Sequence, residues 1–140
     1  MPFHFEFDPV NQILAGRLDG RVTDESLKTF YQLAGEHVAR VQPRGGIVDF
    51  SAVTSFEVTS ETLRQLAHLE PALPDPTLPR VVVAPSGIAF GMSRMFQAIR
   101  GDTGPRLQVV RTLEEAYAFL GIQVPRFEPL EEAAPHEPVG

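Results

Sequence analysis

The segment Arg80–Arg100, RVVVAPSGIAFGMSRMFQAIR, does most to restrict what this chain can fold into. A β-branched run ends at Pro85, a Ser-Gly turn follows, and an amphipathic helix begins. That succession is one strand-turn-helix unit of an α/β fold. The strand, Arg80 to Ala84, is mostly apolar, as expected when helices cover both faces of a sheet. Open α/β sheets hold their binding sites beyond the carboxyl ends of strands, so the turn at Ser86 and Gly87 is the first place to seek one.

The rest of the chain repeats the alternation. Phe3, Phe5 and Phe7 alternate with His4, Glu6 and Asp8, the period of a half-buried strand. A turn at Asp8-Pro9-Val10-Asn11 leads to a second strand over 12–18, and the two form an antiparallel hairpin. Asp19-Gly20 breaks the run. Thr23 or Asp24 then caps a helix over 24–41, whose Leu27, Phe30, Tyr31, Ala34, Val38 and Val41 form one apolar stripe. Gly45-Gly46 leads into a short buried strand over 47–50. A second helix is expected over 59–73, followed by a stiff loop with Pro74, Pro76 and Pro79. The third helix, 88–100, sets Gly91, Met92, Met95, Phe96, Ala98 and Ile99 on one arc and ends at Gly101. A last strand covers 106–110, and Thr112 with Glu115 forms a capping box for a helix over 113–120. The expectation is an α/β fold: a mixed, mostly parallel five-stranded sheet with four helices and right-handed crossovers. Residues 1–122 form the domain. Residues 123–140, rich in Pro and Glu and without periodicity, read as a tail on the surface or in solvent.

Composition narrows the function classes. With 140 residues the chain is long enough for one hydrophobic core, and its 43% apolar content excludes disorder for the body of the chain. The balance of 18 acidic against 12 basic residues, net −6, argues against nucleic acid, which requires a clustered basic face. No cysteine is present, so disulfides, thiolate nucleophiles and cysteine-ligated zinc are ruled out. The amino terminus MPFHFEFDPV alternates and carries acids, unlike a signal peptide, and no apolar run approaches a membrane span. The expected compartment is the cytoplasm.

The hairpin, the D-F-S-x-V segment (Asp49, Phe50, Ser51, Val53), the helix after it and the F-G-M-x-R-M-F segment (Phe90 to Phe96) resemble the SpoIIAA-like branch of STAS domains. The likeness runs over residues 3 to 122 and is nearest to a stand-alone subgroup. It implies the STAS fold and a non-catalytic, regulatory role. In regulatory members a Ser or Thr at the start of the second helix, within Asp-Ser-Ser/Thr-Gly, is phosphorylated and switches binding to a partner. The matching stretch is Glu57-Val58-Thr59-Ser60-Glu61, which keeps an acid and two hydroxyls, lacks the glycine, and sets Glu61 where it repels a phosphate.

Thr59 and Ser60 are therefore candidate phosphoacceptors, with helix capping as the plainer reading. Ser86 and Gly87 open the third helix, whose free N–H groups favour anions, and Phe90 with Arg94 one turn on forms an aromatic-arginine pair of the kind found at interfaces. The plainer reading folds Phe90 into the turn and leaves Arg94 solvated. Asp49 and Glu57 complete the expected partner surface. His4, His37, His68 and His136 show no metal-ligand spacing, with His37 and His68 at or near the apolar stripes as packing residues. No phosphate loop, nucleophile elbow or dinucleotide fingerprint is present, and no cofactor is expected.

The leading expectation is a non-catalytic interaction module that takes a protein partner or a small anionic ligand, with a homodimer as a further option. The alternative is a carrier of small apolar ligands, because the SpoIIAA-like fold resembles the core of SEC14-type lipid-transfer domains. Phe and Met residues of the third helix would line its pocket. Against that alternative, so short a chain leaves little volume once its core is filled. An enzyme requires converging reactive groups, and none can be assembled from spacing.

Overall fold

The computed structural model describes residues 2–101 and 106–130. The elements run β1 (Phe3–Asp8), β2 (Ile13–Thr23), α1 (Asp24–Val41), β3 (Gly45–Glu57), α2 (Ser60–Ala67), β4 (Arg80–Val83), α3 (Gly87–Arg100), β5 (Leu107–Val110), α4 (Leu113–Leu120) and β6 (Glu128–Pro129). They build one sheet in the order β5-β4-β3-β2-β1-β6. The β2–β3, β3–β4 and β4–β5 ladders are parallel, whereas β1 lies antiparallel between β2 and β6. The α/β class, the mixed sheet and the four helices match the expectation. The sheet has six strands instead of five.

The sixth strand comes from the segment read as the start of a tail. Glu128 and Pro129 pair with Phe7 and Glu6, and Leu130 N–H donates to the Phe5 carbonyl at 2.9 Å. No alternation marks so short a strand. It is held by single tertiary contacts: the Arg126 N–H donates to the Asp8 carboxylate at 2.8 Å, and the Asn11 amide donates to the Val124 carbonyl at 3.1 Å. The tail residues 131–140, His136 among them, lie outside the described residues.

Local signals set most helix ends. Thr23 caps α1 in a capping box with Ser26, Thr112 does so for α4 with Glu115, and Gly101 and Gly121 close α3 and α4 in the left-handed region. Two boundaries differ from expectation. The β2–β3 pair extends to Thr23 and Glu57, because the break at Asp19-Gly20 is absorbed by register shifts around Gly20, whose φ is 65°. Helix α2 ends at Ala67, not near residue 73, with His68 as its exposed carboxyl cap. The turn ahead of Pro71 cannot continue a helix.

Two cores follow from the pleat. On one face Phe3, Phe5, Leu14, Leu18, Val22 and Phe50 meet α1, α2 and α3. On the other, Ile13, Ala15, Ile47, Val81 and Val83 meet α4. Gly16 lets Phe30 stack on Phe5 with centroids 5.1 Å apart, since a Cβ there would lie 2.5 Å from the Phe30 ring. His37 is buried against Phe5, as a packing residue should be, whereas His68 is exposed and does not pack. Among the described residues no helix is long and apolar enough to cross a membrane, and no group of three or more His, Asp or Glu is placed to hold a metal ion.

Candidate functional site

The helix that drew attention in the sequence is less buried than its composition predicts. Of its fourteen residues only Ala89 is buried. Gly91 and Ala98, expected on the core arc, are exposed, and Met92, Met95, Phe96 and Ile99 are half-buried. For Met92 and Phe96 the reason is a cavity of about 200 Å³ between the sheet and helices α1, α2 and α3, into which both face. Leu14, Val48, Phe50 and Val82 line it from the strands, Leu27, Phe30 and Ala34 from α1, and Leu63 and Leu66 from α2. Among the described residues the polar members of the lining are Tyr31, Arg80, Ser93 and Arg100.

Volume of this size was not expected in so short a chain. Close packing fails here because α2 is only 8 residues long. The proline-studded segment after Glu70 replaces the further turn that would have filled the space, with Pro71, Ala72 and Leu73 as part of the wall. Apolar cavities of ~150 Å³ stay dry and admit benzene-sized molecules, so a somewhat larger one accepts a small apolar ligand. Of the residues proposed from sequence, the carrier alternative named the Met and Phe residues of α3, and two of them line this space.

The other candidate residues are not brought together. Thr59 is the amino-terminal cap of α2, its hydroxyl accepting from the Thr62 N–H at 3.2 Å. The Asp24 carboxylate already takes the Thr59 N–H at 2.7 Å and its hydroxyl at 3.0 Å. These bonds, the Thr59 backbone one foremost, hold the Asp24 carboxyl below its ordinary range. A carboxylate thus stands where an added phosphate would need to sit, which weakens the switch reading further. Ser60 is exposed as the first residue of α2. Glu57 ends β3 and accepts from Ser55 Oγ at 2.6 Å and Arg21 Nε at 2.9 Å, contacts that lower its pKa in that order.

Asp49 faces the opposite side of the sheet from the cavity. It is buried, and its Oδ2 accepts from Arg17 at 2.7 Å while its Oδ1 accepts from the Ser51 N–H at 2.9 Å and the Ser51 hydroxyl at 2.5 Å. Arg17 also donates to Glu6 at 2.8 Å, and Glu6 contacts His4 at 2.9 Å. For Glu6, burial alone would raise the pKa, but the hydrogen bonds from Arg17 and His4 lower it further than burial lifts it. The row His4–Glu6–Arg17–Asp49–Ser51 spans three strands, so no spacing along the chain disclosed it. Its carboxylates are each hydrogen-bonded, Glu6 to Arg17 and His4, and Asp49 to Arg17 and Ser51.

Ser86 caps α3, its hydroxyl accepting from the Ala89 N–H at 3.0 Å, and Gly87 is the first helical residue. Phe90 is half-buried, with Arg94 6.0 Å and Arg111 4.2 Å from its ring centroid. Arg94 was foreseen from its spacing on one helix; Arg111, from the loop after β5, was not. Because β4 ends at Val83, paired with Asp49, while β3 runs on to Glu57, the Ser86–Arg94 segment and the Glu57–Ser60 segment lie at different levels of the sheet.

No protein-family model matches this chain, no curated protein is detectably similar to it, and no solved structure shares its fold at a significant level.

Proposed function

We propose that the protein is a non-catalytic binder of small apolar molecules, held in the cavity between the sheet and helices α1 to α3. One observation carries this reading: a space of about 200 Å³ between the sheet and the helices whose lining, among the described residues, is apolar apart from four residues. Mostly apolar lining with a few placed polar groups is the usual character of small-molecule pockets. The order of elements over residues 3 to 122 supports a STAS-like fold as part of the same proposal, with the SEC14-type relationship as its rationale. Octan-1-ol is the simplest probe. Burying most of its chain at ~0.8 kcal/mol per methylene gives about 5.5 kcal/mol, so a dissociation constant on the order of 0.1 mM is the tightest expected before the cost of association. Titration calorimetry should return one site with a submillimolar to millimolar dissociation constant. Ala34→Phe, which projects a ring into the space, should abolish uptake with no loss of melting temperature, and Ala34→Leu should weaken it. Absence of octanol binding to the wild-type protein would refute the proposal.

A second reading has its own observation. Ile88 is 65% exposed on the first turn of α3, the helix that also carries Phe90 with its two flanking arginines. An exposed apolar side chain and an arginine-clasped aromatic on one helix suit a protein interface, and we take the surface to extend over Ser86, Gly87, Ile88 and Arg94. Phe90→Ala with Arg94→Ala should reduce capture of a protein partner from the source cell at least tenfold while the melting temperature falls by only a few degrees. Undiminished capture would discard the surface.

A further inference from the structure

We infer that the cavity takes an apolar chain ending in a carboxylate, with Arg100 as the anchor of that head group and Tyr31 beside it; this rests on the apolar-ligand reading above. Among the described residues the lining contains arginine and no acid. Arg100, the last residue of α3, reaches across the end of the cavity where α1 and α2 meet it. Its Nη2 donates to the Tyr31 hydroxyl at 2.7 Å and to the Leu66 carbonyl at 3.2 Å, its Nη1 donates to the Leu69 carbonyl at 3.3 Å, and its carbon centre sits 4.8 Å from the Phe96 ring centroid. Three of the five guanidinium N–H groups are thus committed, all to neutral acceptors. Among the described residues Arg100 forms no ion pair, although the chain carries 18 acidic residues.

The surroundings say where the head group enters. A shallow depression on the outer surface is lined by Lys28, Gln32, Gln65 and Leu69, and it shares Tyr31 and Leu66 with the cavity wall. Those two shared residues mark the partition between solvent and the interior, and Arg100 hydrogen-bonds to both. Among the described residues the outer lining also holds a cation and no acid. In a protein of net charge −6, a passage with Lys28 outside, Arg100 at the threshold and apolar walls beyond is matched to an amphipathic anion. The committed N–H groups fix the guanidinium plane, and the remaining donors can meet a carboxylate with charge-assisted bonds.

Octanoate and octan-1-ol separate the head group from the chain. At pH 8 and low salt the wild-type protein should bind octanoate at least tenfold more tightly than octan-1-ol by calorimetry. Arg100→Gln should bring the two affinities within about twofold while octan-1-ol binding persists, which also shows that the variant is folded. Tyr31→Phe should lower the octanoate preference severalfold, with a smaller effect on octan-1-ol. Equal wild-type affinities for the two probes, or a preference that survives in Arg100→Gln, would overturn the anchor while leaving the apolar-ligand reading intact. Failure of both probes to bind would overturn the two together.

Discussion

Asp8→Ala is expected to lower the unfolding free energy by about 3 kcal/mol, the scale for stranding several partly buried donors that had shared one buried charged acceptor. Asp8 is 0% exposed. Its Oδ1 accepts from the Val10 N–H at 3.0 Å and the Asn11 N–H at 2.8 Å, and its Oδ2 accepts from the Asn11 side-chain amide at 2.7 Å and the Arg126 N–H at 2.8 Å. One carboxylate therefore shapes the β1–β2 turn and anchors the stretch leading to β6. The urea midpoint should fall with little change in slope, and trypsin should cut after Arg126 much faster than in the wild type. A midpoint unchanged within error would show that Asp8 is not holding the turn.

The same group makes stability depend on acid. Burial pushes the Asp8 carboxyl pKa upward, but the hydrogen bonds from Asn11, Arg126 and Val10 outweigh burial and hold it below the ordinary value. A depressed folded-state pKa contributes stability that is complete above the unfolded value, ~3.9, and is lost as pH falls through the folded one. Stability should therefore decline below about pH 4. Asp8→Asn should be less stable at neutral pH and should flatten that decline, because the charge responsible for part of it is gone. A decline as steep as that of the wild type would assign the acid sensitivity elsewhere.

Arg17→Met is expected to cost about 3–4 kcal/mol, because it removes the shared cation from two carboxylates and leaves the Asp49 charge buried and unmatched. The side chains of Arg17, Glu6 and Asp49 are only 18%, 19% and 6% exposed, so water replaces little of what is lost. Arg17 also lies 5.2 Å from the Phe127 ring centroid, which ties the network to the segment before β6. Burial disfavours the Arg17 cation, yet hydrogen bonds with Glu6 and Asp49 raise its pKa above the ordinary value. The triple variant Arg17→Met, Glu6→Gln, Asp49→Asn should recover most of the loss, since it removes the charges along with their partner. A cost under about 1 kcal/mol for Arg17→Met would mean that the network is screened like a surface pair.

Much of the architecture was legible because local rules and global fold agree. The Phe3-Phe5-Phe7 alternation, the Thr23 and Thr112 caps, the Ser86 turn and the Gly101 stop each report an element through interactions within about four residues. Misreadings cluster where distant residues decide. Gly20 looked like a break, but β3 supplied a partner that carried β2 past it. The stretch after Gln123 looked unstructured, but Asp8, more than a hundred positions earlier, supplied its acceptor. Arg94 was found beside Phe90 because both are on α3, while Arg111 was missed because its ring partner lies on another element, as do the hydrogen-bond partners of Arg100. The cavity had no signal of its own. Met92 and Phe96 look the same in sequence whether they fill a core or face a void.

Residue order along this chain was enough to dictate its succession of strands and helices and which side of each is apolar, since periodicity and capping act through neighbours on the same segment. Whether those apolar sides meet fully was settled only on assembly. An α2 of two turns, followed by the proline-bearing segment Pro71 to Leu73, leaves space between them. That space depends on the lengths and separations of several packed elements at once, and it is there that the proposed binding chemistry resides.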